Sequence, residues 1–377
     1  MGAATAPAPS TGLRWRDGLV PVLVGWVWAR CCVAFGWVLS ERLDGVLENP
    51  RAVIGPDSGL FTWDGNFYRD LAVGWYDAVP EAGARFFPLF PALARGLAPL
   101  FGGREDVALV VLANAGAFAG AWVLWRLVAE VVDAHGPPAV ATRAAWMVAL
   151  VPSAFVMVWA YTEGLALLLV TATLLALHRR AFVWAGVFGL LSAALRPVGA
   201  VLLLPILIEL VRARPRPRPL PAVAALAGPV LGLVGAMLLI ARSTGDLWVP
   251  VEAQRELRGG FQDPITRVLE PIGEILGGNF RDVYNLAFMV ALILLFVVAV
   301  RRRQPLSWLA YAGVTLLVTL SSQQTDSLGR YGLVVVPFVV ALAQWAERRW
   351  QQVGVAVLGS VGLAWWTSEA LLGRLVP

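Results

Sequence analysis

From Phe61 to Pro91 the chain reads FTWDGNFYRDLAVGWYDAVPEAGARFFPLFP. The stretch carries Asp64, Asp70, Asp77 and Glu81, with Asp57 just ahead of it, and it alternates these acids with aromatic residues. Apolar runs at 19–39 and 105–131 bound it, each near the roughly 20 residues that a helix needs to cross a hydrocarbon core. Trp and Tyr settle at the membrane–water interface, so acids held between them lie at the membrane surface. Such a loop after a first crossing points to chemistry there.

On either side of this loop, apolar segments recur at 140–160, 162–178, 181–195, 197–211, 220–242, 284–300, 305–321, 331–346 and 351–372. With the two flanking runs they predict about eleven transmembrane helices, since only helices satisfy the backbone in lipid at this composition. The 377 residues are 58% hydrophobic and 15% charged, which leaves too little polar surface for a soluble protein of this size. The expected fold is therefore an all-α polytopic membrane protein, one domain over 1–377, with no large soluble part. Segments 162–178, 181–195 and 197–211 are short, and a broken or re-entrant pair among them would change the count.

All 30 basic residues are Arg. They cluster in short loops between apolar segments, which is a topology signal rather than a nucleic-acid-binding one. Placing residues 1–18 as a cytoplasmic tail puts Arg14, Arg16, Arg179, Arg180, Arg301, Arg302, Arg303, Arg348 and Arg349 inside. It also puts the stiff Pro/Arg linker 212–219 inside. Three polar loops then face outward: 40–104, 243–283 and 322–330. This places the chain in the plasma membrane (a bacterial inner membrane, given the all-Arg, Ala-rich composition) with its acid-rich loop outside. Cys31 and Cys32 are adjacent inside the first span and read as packing residues, and His135 and His178 lie apart, so no His/Cys metal site can be drawn.

The outer polar residues are the candidate site. Asp64, in Trp63-Asp64-Gly65, reads as a general base, as a solvated loop acid or as a helix N-cap. Glu163 stands at the start of a span, as a cap or as a ligand-binding carboxylate. Arg196 and Arg330 break the inside bias; each either snorkels or pairs with an anion, a carboxylate or a phosphate. Phe86 to Pro91 reads as a segment lying against lipid or packing on the bundle, followed by an amphipathic helix to about Leu100. The mixed charges of 243–283 suggest a solvated, structured surface.

Five ordered motifs resemble the PIG-V family of GT-C membrane mannosyltransferases. They are Trp63-Asp64-Gly65 with Tyr68 and Gly74-Trp75-Tyr76; Phe86-Phe87-Pro88-Leu89-Phe90-Pro91; Pro152-Ser153-Ala154 with Tyr161-Thr162-Glu163; Arg196-Pro197-Val198-Gly199; and Ser327-Leu328-Gly329-Arg330-Tyr331 with Pro337. Thr162 where Ser is usual, and Asp70-Leu71-Ala72, are departures. The resemblance implies transfer of mannose, with inversion, from polyprenyl-phosphate-mannose to a glycolipid, glycan or protein acceptor. It implies Asp64 as base, and Arg330 and Arg196 on the leaving phosphate. Trp63, Tyr68 and Tyr331 would lie against the substrate, while Asp70 and Glu163 orient the acceptor or a divalent cation. Rival readings are a lipid or solute transporter or flippase, a transferase of another polyprenyl-linked sugar, and a structural subunit without activity. A transporter would show internal repeats and broken helices at mid-membrane, and no convincing repeat is present.

Overall fold

A computed structural model of the chain describes residues 14–47, 56–277, 283–323 and 327–377. The first part of the N-terminal tail, 1–13, and the loop pieces 48–55, 278–282 and 324–326 lie outside the described residues. Within them the chain is helical, with no β-strand and only two isolated bridges, Asp44 to Leu47 and Phe261 to Ser322.

The α-helices run in order α1 Leu19–Leu43, α2 Asp64–Gly74, α3 Leu89–Leu97, α4 Glu105–Val131, α5 Ala139–Leu150 and α6 Glu163–His178. Then come α7 Phe182–Leu195, α8 Leu203–Arg212, α9 Pro219–Thr244, α10 Val249–Arg258 and α11 Pro264–Leu276. The last are α12 Val283–Arg301, α13 Leu306–Leu320, α14 Leu328–Leu333, α15 Val336–Trp345 and α16 Arg349–Leu371. Four helical stretches, Trp15–Leu43, Glu105–Val131, Pro219–Thr244 and Val283–Arg301, are long and apolar enough to cross a bilayer. The chain is a multi-pass membrane protein.

All eleven apolar segments contain helix, but three of them are not single helices. Segment 140–160 breaks after Leu150, where Val151 is extended and Pro152 opens a 3-10 turn to Met157. Segment 197–211 is a 3-10 turn, Pro197–Leu202, followed by α8. Segment 331–346 splits into α14 and α15, with Pro337 in the first turn of α15. Proline accounts for the break after Leu150, since Pro152 pushes Val151 out of the helical region, and Pro337 lacks the N–H that would join α14 to α15.

Small residues let these helices approach closely, as packing without water requires. A Cβ on Gly164 of α6 would lie 2.2 Å from the Ala113 carbonyl of α4, and one on Gly116 of α4 would lie 2.7 Å from the Leu165 nitrogen. This contact fixes the start of α6, and hence Glu163. In the described part of loop 40–104, α2 and α3 pack on α4. Phe86, Phe87 and Phe90 do not face lipid. They are buried, and Phe86 and Phe90 set their rings against Tyr68 at 5.0 and 5.1 Å. The loop 243–283 forms α10 and α11.

Candidate active site

One end of the bundle collects the starts and ends of several helices, and their polar residues meet there. Asp64 is the first residue of α2, Glu163 the first of α6, and Arg196 caps α7. Arg330 lies in α14, Arg85 ends a 3-10 turn, and Arg258 ends α10.

A rigid corner sets the position of Asp64. Trp63 adopts φ 61°, ψ −122°, an unusual conformation for a residue with a side chain. Such geometry costs on the order of 1–3 kcal/mol and persists where surrounding contacts hold it. Here the Trp63 indole donates to the Ala370 carbonyl at 2.9 Å. The fully buried Tyr161 bolts the corner from the other side: its hydroxyl donates to the Thr62 carbonyl and accepts from the Asp64 N–H, both at 3.1 Å.

The side chains form a chain of charge. Arg330 Nη1 donates to Asp64 Oδ2 at 2.5 Å, and Arg85 lies 3.5 Å from Asp64 Oδ1. Arg196 Nη1 donates to Glu163 Oε1 at 2.5 Å, while Arg330 Nε sits 3.8 Å from that same oxygen. The Asp64, Arg330, Glu163 and Arg196 side chains are between 1 and 16% exposed. Tyr331 lies among the arginines: Arg258 donates to its hydroxyl at 2.9 Å, and Arg196, Arg258 and Arg330 lie within 5.3 to 5.7 Å of its ring. Two buried atoms within this cluster have no hydrogen-bond partner, Glu163 Oε2 and Arg330 Nε.

Burial pushes the Asp64 carboxyl up, but Arg330, Arg85 and Arg258 together outweigh it and hold the group below its ordinary value. Burial likewise pulls Arg330 and Arg196 down, and their carboxylate partners more than reverse this. Three guanidinium groups (Arg85, Arg196, Arg330) thus lie in ion-pair range of two carboxylates, with Arg258 close by on Tyr331.

Most of the sequence candidates meet here: Asp64, Glu163, Arg196, Arg330 and Tyr331 converge, with Trp63 beneath. Arg196 pairs with a carboxylate rather than snorkelling, and Glu163 pairs with it rather than serving only as a cap. One candidate, Asp70, stands apart. The Asp70 side chain is 46% exposed and faces Arg69 at 3.7 Å, away from the cluster. Tyr68 is buried against Phe86 and Phe90, close to the charges of Arg196, Asp64 and Glu163, so it forms part of the wall of the site. A divalent cation does not fit the residues present. Asp64 and Glu163 are already neutralised by arginine, Asp70 is remote, and no group of three His, Cys, Asp or Glu gathers among the described residues.

Arg85, Tyr161 and Arg258 were not among the sequence candidates for the site, although Tyr161 stands in one of the five motifs. Arg85 was within reach, because it breaks the inside bias just as Arg196 does.

No protein-family model and no curated protein matches the chain. Among solved structures it is similar to the archaeal oligosaccharyltransferase AglB from Archaeoglobus fulgidus in complex with an inhibitory peptide and a dolichol-phosphate, at TM-score 0.44 and 12% identity over 92% of this chain and 56% of that one. The apo form of the Archaeoglobus fulgidus oligosaccharyltransferase gives TM-score 0.47 and 11% identity over 93% and 56%. Its complex with Zn and sulfate gives 0.45 and 14% over 91% and 53%. The chain spans little more than half the length of these proteins. Likeness this distant leaves the site to be read from its own residues.

Proposed function

We propose that this chain is a GT-C-type membrane glycosyltransferase that moves mannose from polyprenyl-phosphate-mannose to an acceptor on the outer face of the plasma membrane. Eleven crossings with a cytoplasmic N-terminus belong to the same reading. The observation that carries it is the buried charge chain, in which three guanidinium groups face two carboxylates. The unmatched positive charge suits a phosphodiester, which carries one negative charge, and arginine's fork suits phosphate oxygens.

The charge stays balanced through the reaction. The acceptor oxygen attacks C1 of the sugar, and the bond from C1 to the phosphate oxygen breaks. Its electron pair stays on the phosphate, which becomes a monoester with a second negative charge. The acceptor proton passes to Asp64, which becomes neutral. Protonated Asp64 no longer needs Arg330, so that guanidinium turns to the phosphate as its charge grows. Stabilisation therefore increases toward the transition state, as catalysis requires. Arg330 Nε, without a partner in the free site, is the donor for a phosphate oxygen, and Glu163 Oε2 is the acceptor for a hydroxyl of the sugar or acceptor. Attack opposite the departing phosphate inverts C1, so a β-linked donor yields an α-mannoside. Glycolipid, glycan and protein remain the acceptor classes.

The test uses membranes carrying the protein, supplied in turn with labelled polyprenyl-phosphate-mannose and with other labelled polyprenyl-linked sugars. Label passing from the mannose donor into lipid, polymer or protein supports the reading. Transfer only from another sugar would correct the donor, and transfer from none would end the proposal.

A further inference from the structure

A polar cavity lies at the end of the bundle opposite the charge chain. Its volume is about 140 Å³, and His178, Arg180, Glu209, Arg212, Ser307 and Trp308 contribute to its wall. A single water needs roughly 10–15 Å³, so the space suits a polyatomic group. α6 starts at Glu163 in the charge chain and ends at His178 in this wall, which separates the two places by roughly 22 Å at 1.5 Å per residue. α7 runs back the other way, from Phe182 at the cavity to Arg196 at the charge chain. The cavity and the charge chain are distinct places joined by shared helices.

The arginines here differ from their neighbours. Arg179 is paired with Glu130 at 2.5 Å, through two hydrogen bonds. Among the described residues Arg180 and Arg212 make no ion pair, although Glu209 lines the same cavity. Positive charge in loops at this end accounts for arginine being common there. It does not account for where Arg180 sits. Arg180 has φ 57°, the left-handed position that follows a helix. Its N–H bonds to the Leu177 carbonyl and the Ala181 N–H to the Ala176 carbonyl, the double bond pattern in which glycine is the favoured residue. A side chain is strained at that φ. The strained residue is the one that brings an unpaired guanidinium into the cavity wall. Helices α7 and α13 also start here, and neither has a side-chain cap on its first N–H groups.

We propose that this cavity binds a phosphate ester, with Arg180 and Arg212 as its ligands and Ser307 and the α7 and α13 N-termini completing the shell. Two sources share that chemistry: the headgroup of an anionic phospholipid in the adjoining leaflet, and a free phosphate compound. Apolar Leu177, Phe182 and Trp308 in the same wall suit either one.

The test uses full-length protein purified in neutral detergent and carrying Arg330→Gln, so that phosphate binding at the charge chain is weakened. Thermal stabilisation is titrated with short-chain phosphatidylglycerol and, separately, with glycerol phosphate. Saturable stabilisation is expected from at least one. Stabilisation by the lipid alone assigns a headgroup site, and equal affinity for both assigns a free phosphate site. Arg180→Gly should weaken binding at least tenfold while leaving the unliganded melting temperature equal or higher, because glycine suits the left-handed position. Arg212→Gln should weaken it similarly. No saturable response to either compound, or unchanged affinity in Arg180→Gly, would overturn the proposal.

Discussion

Replacing Arg330 with Gln separates the structural and chemical roles of the charge chain. Arg330 is 10% exposed and holds Asp64 at 2.5 Å. Removing one member of a buried ion pair costs about 3–5 kcal/mol, because the partner charge remains buried. Arg85 still lies 3.5 Å from Asp64, which places the expected loss near the lower end, about 3 kcal/mol. Loss of a guanidinium from the departing phosphate costs a further factor of roughly 10²–10³ in kcat, the usual effect of removing one preorganised donor. The assays are thermal unfolding in detergent and initial rates of sugar transfer. The double variant Asp64→Asn with Arg330→Gln removes both charges, so stability should return to within about 1 kcal/mol of the wild type while activity stays lost. If Arg330→Gln keeps activity within threefold of wild type, the reasoning fails. It fails equally if the double variant regains activity.

Asp64 is held below its ordinary value by Arg330 and Arg85 against the upward push of burial. A depressed folded value means that its contribution to stability is present above the unfolded value and lost as pH falls through the folded one, so both stability and kcat/KM should fall on the acid side only below about pH 4. In Arg330→Gln that acid limb should move to higher pH, which a kcat/KM profile measures; a limb at the same pH in both proteins would contradict the assignment of Asp64. Gly164→Val should reduce stability by about 1–3 kcal/mol and lower activity with it, because its side chain meets the Ala113 carbonyl and displaces Glu163. Parallel measurement of melting temperature and transfer rate checks this, and a variant that loses neither would show that the α4–α6 contact does not position the site. Asp70→Asn should leave the transfer rate within twofold of wild type, since its carboxylate faces solvent and Arg69; a large loss in that rate would return Asp70 to the site.

Much of this arrangement is legible in the sequence, for stated physical reasons. Apolar runs gave the helices because lipid permits little else. Arg196 and Arg330 stood out because they break the charge bias that explains most other arginines. Asp64 and Asp70 could not be separated without helix bounds; once α2 begins at Asp64, six residues at 100° each turn Asp70 about 240° away, onto another face. The breaks near Pro152 and Pro337 were written in the sequence, but long apolar runs masked them. The burial of Phe86 and Phe90 was not legible, because the same residues suit a membrane surface and a ring cluster around Tyr68. The cavity at the His178 end has no sequence motif; it arises where α6, α7, α8 and α13 begin or end together.

The most direct measurement follows phosphorus. Purified protein is mixed with polyprenyl-phosphate-mannose and an extract of acceptor lipids and glycans, and ³¹P NMR tracks the donor phosphodiester. Wild type should convert it to the phosphomonoester in step with sugar transfer, and Asp64→Asn, equally folded, should leave it intact. Equal conversion by both proteins would remove Asp64 as the base. No conversion by wild type, with the donor demonstrably bound, would contradict the proposal that this charge chain transfers a lipid-linked sugar.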